Sequence, residues 1–127
     1  MARPPAKELT GRELEVMHVF WSRGELTAGE ARDDLAKGSR DLAYTTVATQ
    51  VRILVDKGFL VQCNDDRPFR YRPASSYEAV SGRLLRDVIE RIFCGSREQL
   101  LLRLVEQRKL TAKERALLED ILKEQDA

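Results

Sequence analysis

Histidine and cysteine are nearly missing from this chain: His18 stands alone, and the only thiols are Cys63 and Cys94. The cysteines form no C-x-x-C motif and have no histidine nearby, so neither a zinc site nor a structural disulfide is expected. They read as half-buried thiols acting as small hydrophobes, with a redox switch at Cys63 as the alternative. His18 falls inside the first helix pattern and reads as a packed or surface imidazole rather than a general base. No nucleophile, base and orienting group occur in a recognisable arrangement. The seven glycines are scattered at turns and form no phosphate-cradling loop. The chain is therefore expected to be no enzyme and to use no metal or cofactor.

Long apolar runs are missing too. No stretch approaches the roughly 20 apolar residues that span a bilayer, so no membrane insertion is expected. The opening MARPPAKE lacks the hydrophobic region of a secretory signal, and a cytoplasmic location follows as an expectation. Net charge is small as well, at +1. Residues 1–74 hold 12 Lys and Arg against 11 Asp and Glu, and residues 75–127 hold 10 of each. A balance this even rules out a generic electrostatic clamp on nucleic acid, so any such role rests on where the charges sit.

What the chain does have is most concentrated in AYTTVATQVRILVDKGFLVQCNDDRPFRYRP, residues 43–73. Val47, Val51, Leu54 and Val55 recur at i, i+4, i+7, i+8, one buried stripe of a helix from Tyr44 to Lys57. The rest of that helix carries Tyr44, Thr45, Thr46, Thr49, Gln50 and Arg52, mostly neutral hydrogen-bonding groups where a solvated face would carry Glu and Lys. Such groups can approach base edges and phosphates closely. Gly58 is placed to stop the helix. A β-rich run, Phe59 to Cys63, a turn cluster, Asn64 to Pro68, and an aromatic-basic alternation, Phe69 to Arg72, then predict a hairpin. In it Phe69 and Tyr71 are expected on the core side, and Arg70 and Arg72 on a phosphate-facing side. Arg40, Arg52, Arg67, Arg70 and Arg72 bracket the proposed reading helix.

Five S/T-x-x-E/Q patterns, beginning at Thr10, Thr27, Ser75, Ser96 and Thr111, mark helix starts. The first helix, about Gly11 to Ser22, is expected to bury Leu14, Met17, His18 or Phe20, and Trp21. For Trp21 a core role outweighs a base-stacking one. The second helix, about Ala28 to Lys37, is expected to bury Ala31 and Leu35, and a short glycine-containing turn leads to the third. Helix, turn, helix, hairpin is the order of a winged helix-turn-helix. The expected fold is mainly α: an N-terminal winged helix-turn-helix over residues 1–74, three helices plus a small antiparallel β-hairpin wing, followed by a helical dimerisation region over residues 75–127.

That second region is rich in aliphatic residues. Leu84, Leu85, Val88, Ile89 and Ile92 share one side of a helix, Leu101 and Leu104 belong to a second that is apolar around much of its circumference, and Leu117 and Ile121 to a third. Three short helices could hardly bury so much aliphatic surface alone. Folding back onto the N-terminal domain would be one solution. A homodimer is the expected one, because it would also present two reading helices to a palindromic site.

These residues carry a resemblance. LTGRELEVMHVFW, AYTTVATQVRILVDKGFL, FRYRP, LLLRLVE and LTAKERALLEDIL resemble the penicillinase-repressor (BlaI/MecI) family over nearly the whole chain. The most specific parts are E-x-x-V/I-M-x-x-x-W, here Glu13, Val16, Met17 and Trp21, and the AYTTV opening of the third helix. The resemblance implies a homodimeric winged-helix repressor of resistance or homeostasis genes, with a double-stranded DNA operator as partner. It implies DNA-binding residues at Tyr44, Thr45, Thr46, Thr49 and the wing arginines, and a sensor protease or other antirepressor as a further partner.

The chain departs from the family pattern in three places. Arg52-Ile53 stands where relatives commonly have an acidic residue followed by Arg. The stretch Cys94 to Gln99 contains no Asn-Phe bond, the cleavage point of the resistance repressors. No Cys-x-Cys pair of the copper-responsive relatives occurs. The second functional class that fits the residues is a protein-interaction module, with the winged helix as scaffold and the leucine-rich helices as docking surface.

Overall fold

Every helix start but that of the third is written in threonine or serine. In the computed structural model, which describes residues 8–126, Thr10 Oγ1 accepts from the Glu13 N–H at 3.2 Å and Glu13 Oε1 accepts from the Thr10 N–H at 3.1 Å. The same reciprocal box closes between Thr27 and Glu30 and between Thr111 and Glu114, and Ser96 Oγ accepts from the Gln99 N–H. The fifth expected box is displaced by one residue. Ser76, not Ser75, caps its helix, with Oγ accepting from the Ala79 N–H at 3.0 Å, and the Ser75 carbonyl is used elsewhere.

The elements in chain order are α1 (Gly11–Arg23), β1 (Leu26–Thr27), α2 (Ala28–Lys37), α3 (Tyr44–Asp56), β2 (Leu60–Gln62), β3 (Arg70–Pro73), α4 (Tyr77–Arg91), α5 (Arg97–Gln107) and α6 (Ala112–Asp126). The expected hairpin is β2 with β3, paired antiparallel through Leu60 with Pro73, Val61 with Arg72 and Gln62 with Tyr71. It is joined by a strand that alternation could not reveal in two residues: β1 pairs antiparallel with β3, giving the order β1-β3-β2.

The chain forms two compact units, one up to Ser81 and one from Gly82 onward, with the division inside α4. In the first, Val16, Met17 and Phe20 of α1, Ala31 and Leu35 of α2, and Val47, Val51 and Leu54 of α3 are buried together with Leu26, Phe59, Leu60 and Val80. The buried row of α1 differs from the expected one. Glu13, Val16, Met17 and Phe20 form the i, i+3, i+4, i+7 row, while Leu14 and Trp21 are half-buried and His18 is exposed. A carboxylate can lie in that row because its Oε1 is paired: the Lys57 ammonium donates to it at 2.8 Å, and is itself held by the Glu8 carbonyl at 2.8 Å. Burial raises the Glu13 pKa, but the hydrogen bond and charge of Lys57 and the donors of Thr10 outweigh it and hold the carboxyl below its ordinary value.

The second unit has no such core. None of the described residues of α5 or α6 is buried, and Leu85, Val88, Ile92, Leu101, Leu104, Leu117 and Ile121 are all exposed, Ile92 to 70%. Leu84 and Ile89 are half-buried. No helix among the described residues is long and apolar enough to cross a membrane.

Candidate nucleic-acid interface

Helix α3 is held in place from within and stopped from behind. Val47, Val51 and Leu54 fix its inner face. At its end Gly58 takes φ +86°, the Gly58 N–H donates to the Val55 carbonyl at 3.0 Å and the Phe59 N–H to the Leu54 carbonyl at 2.9 Å. This is a Schellman stop, and it turns Phe59 into the core so that the chain enters β2 directly. At the other end the N-cap is Ala43, which offers no side-chain acceptor, so the first N–H groups of α3 stay available to an anion.

The wing is built on Asn64. Its Oδ1 accepts from the Arg70 N–H at 2.8 Å, its Nδ2 donates to the Asp66 carbonyl at 3.0 Å and toward that of Pro68 at 3.3 Å, and Gln62 Nε2 donates to its carbonyl at 2.7 Å. The Arg67–Pro68 peptide is cis. The Arg67 guanidinium lies over the Phe69 ring, 5.5 Å from its centroid, a cation–π contact that carries the charge at the wing tip.

Between α3 and the wing lies a concavity of about 950 Å³. Its helix side is Tyr44, Thr45, Ala48, Thr49, Arg52 and Val55; its wing side is Gln62, Arg67, Pro68, Phe69 and Tyr71; Thr27, Ala28 and Gly29 close one end. Thr45, Thr49 and Arg52, at i, i+4, i+7, form an exposed row. Thr46 and Gln50 belong to the neighbouring row, are half-buried and do not line the concavity. The Gln50 Oε1 is buried with no hydrogen-bond partner among the described residues. The six polar residues expected on one face are therefore divided, because 100° per residue separates Thr49 from Gln50. Tyr71 stands opposite Leu26 in the sheet and Phe69 just precedes β3, and neither is enclosed: both are half-buried walls of the concavity.

The five arginines part in the same way. Arg52 and Arg67 line the concavity, and neither has a carboxylate partner among the described residues. Arg70 reaches back to the first helices, with Nε 2.7 Å from Glu25 Oε2, NH1 3.4 Å from Glu30 Oε1 and NH2 donating to the Glu25 carbonyl. The Glu25 hydrogen bond leads the causes that raise its pKa, and the backbone bond from Thr27 leads those that lower the pKa of Glu30. Arg40 holds the Glu15 carboxylate with both Nε and NH2, at 2.8 and 3.1 Å. Arg72 is exposed and borders a different hollow, beside Trp21 and Tyr77. The clamp of Arg70 on Glu25 and Glu30 escaped sequence reasoning. Its only trace there is that Glu25 and Glu30 flank the β1 residues Leu26 and Thr27.

A reading helix with a polar row, a neighbouring wing whose guanidinium has no carboxylate partner among the described residues and a cleft between them are what a winged-helix DNA-binding surface consists of. The model of the family described as penicillinase repressor matches residues 9–124. The chain belongs to the penicillinase repressor family. Among its relatives, "Transcriptional regulator BlaI" of Mycobacterium tuberculosis is 35% identical over 96 residues, 75% of this chain and 70% of that protein. "Methicillin resistance regulatory protein MecI" of Mammaliicoccus sciuri is 25% identical over 115 residues, 91% of this chain and 93% of that protein. In fold the chain resembles wild-type MarR of E. coli in its apo form, with a TM-score of 0.50 over 91% of this chain and 76% of that one, at 18% identity. The family is one of transcriptional repressors, which are not enzymes, and this chain is a winged-helix DNA-binding regulator of transcription. Antibiotic resistance fits the family names.

Proposed function

We propose that the protein is a homodimeric, sequence-specific repressor that occupies a palindromic operator in the cytoplasm and controls resistance or stress-response genes. Residues 1–74 act as the DNA-binding domain and residues 75–127 as the dimerisation region. The observation that carries the reading is the convergence of the Thr45, Thr49, Arg52 row and of Arg67, stacked on Phe69, on one concavity, beside an α3 N-terminus without a side-chain cap. On this reading α3 enters the major groove with Tyr44, Thr45, Thr49 and Arg52 toward bases and phosphates, and Arg67 meets the backbone beside it. Thr46 and Gln50 act from the flank. Arg40, Arg70 and Arg72 contribute at the margin, the first two only by leaving their carboxylates.

Pairing is supported by the second unit, whose aliphatic side chains are exposed on all three helices. Leu84, Leu85, Val88, Ile89, Ile92, Leu101, Leu104, Leu117 and Ile121 are assigned to the contact with a second copy. Release of the operator is assigned to an antirepressor partner, such as a sensor protease.

A footprint on the DNA beside the gene tests this. Two protected patches related by two-fold symmetry, with centres about one helical turn apart or a multiple of it, are the expected result. Protection without sequence preference, or none, would instead favour an interaction module.

A further inference from the structure

The chain leaves the reading domain through a connection with no slack. From β3 to α4 there are three residues, and each is fastened: the Ala74 N–H donates to the Phe59 carbonyl at 2.8 Å, the Ser75 carbonyl accepts from Trp21 Nε1 at 3.0 Å, and Ser76 caps α4. The first turn of α4 is then gripped by rings. Tyr77 meets Trp21 edge to face, with centroids 5.4 Å apart at 70°, and His18 lies 5.5 Å from Trp21 and 5.9 Å from Tyr77. One turn further on, Val80 is 1% exposed and anchors the helix in the core of the first unit.

None of this is needed to read a half-site. Trp21, Tyr77 and His18 do not line the α3–wing concavity, and a tryptophan with its N–H committed to a backbone carbonyl is a costly way to fill a half-buried position. What the grip does hold is the first turn of α4. That helix runs unbroken from Tyr77 to Arg91 through the division between the units. The first residue beyond the division is Gly82, where an added Cβ would meet nothing within 4 Å, and glycine inside a helix loosens it.

We propose that the Trp21 clamp on the first turn of α4 is the positioning device that sets which spacing between two half-sites the paired protein accepts. This rests on the paired reading given above. Adding one base pair between half-sites shifts one of them by about 3.4 Å and turns it by about 35°. A helix whose first turn is pinned transmits one orientation to its reading domain; a helix released from the clamp accepts several. Trp21 and Tyr77 are positioning residues, and Gly82 limits how stiffly their grip is passed on.

The test uses the full chain, with affinity measured for a single half-site and for inverted repeats whose spacer is lengthened or shortened one base pair at a time. Wild-type protein is expected to prefer one spacing by about tenfold or more. Trp21→Ala and Tyr77→Ala, the second at a side chain 47% exposed, are expected to keep half-site affinity and flatten the preference to within about threefold. Gly82→Ala, which adds only helix propensity, is expected to sharpen it. Trp21→Phe keeps a ring against Tyr77 without the donor and is expected to fall between. Unchanged spacing preference in both alanine variants overturns the proposal. So does an equal loss on half-sites and repeats in both, which would make the clamp structural only. A wild-type protein that binds repeats no better than one half-site overturns the paired reading, and this proposal with it.

Discussion

The two halves of the molecule spend their apolar residues in opposite ways. Up to Ser81, α1, α2, α3 and the small sheet close around Val16, Met17, Phe20, Val51 and Leu54, all at 1% exposure or less. From Gly82 onward, helices with equally regular aliphatic spacing leave Ile92, Leu101, Leu104 and Leu117 more than half exposed. The same periodicity thus has two meanings. In the first half it specifies a core, and in the second a face that stays exposed among the described residues. Exposed aliphatic area on this scale supports the proposed pairing.

The comparison breaks most visibly under truncation. Leu54→Ala is expected to lower the stability of the reading domain by about 2–5 kcal/mol, read from urea unfolding. The same change at Leu117 is expected to leave the unfolding of that domain unaltered and to weaken pairing, so that its effect depends on protein concentration. Concentration-independent losses of equal size at both positions would erase the distinction.

The anchor between α1 and the end of α3 sharpens it. Glu13→Gln keeps the shape and removes the charge that faces Lys57, at an expected cost of about 1–3 kcal/mol at neutral pH. Because the folded protein holds the Glu13 carboxyl below its ordinary value of 4.5, the stabilisation is complete above that value. It is lost as pH falls through the lower, folded value. Melting curves of wild type and variant should therefore converge with acidification, and a gap that stays constant would contradict the assignment.

Within the reading domain the contrast lies between free and committed arginines. Arg52→Ala and Arg67→Ala are each expected to reduce the salt slope of DNA binding by about one and to weaken binding to all sequences. A loss confined to one base pair at Arg52 would instead make it a base contact. Arg70→Ala, which frees Glu25 and Glu30, is expected to act on the wing's attachment more than on the slope. The smallest effect is expected at Gln50, whose Oε1 is buried without a partner among the described residues. Gln50→Met should change stability by no more than about 1 kcal/mol in either direction, and a large loss of specificity there would return Gln50 to the reading face.

Patterns that repeat along one element were legible in the sequence. The caps at Thr10, Thr27, Ser96 and Thr111, the α3 stripe, the glycine stop at Gly58 and the β2–β3 pairing all follow from local chemistry. What was not legible depends on partners distant in sequence. Glu13 reads only as the acidic partner of the Thr10 cap until Lys57 arrives from 44 residues away. Arg70 reads as a phosphate contact until Glu25 and Glu30 are brought beside it by a two-residue strand that alternation cannot announce. Of the candidate interface, the helix and wing could be named, but the division between Thr49 and Gln50, one residue apart, needed the orientation of α3 against its core.

The central claim is that the second half of the chain is completed by a second copy. Sedimentation equilibrium of the full chain across the micromolar range tests it most directly. A mass of two chains, falling toward one only on dilution, is predicted. A mass of one chain at every concentration would contradict it.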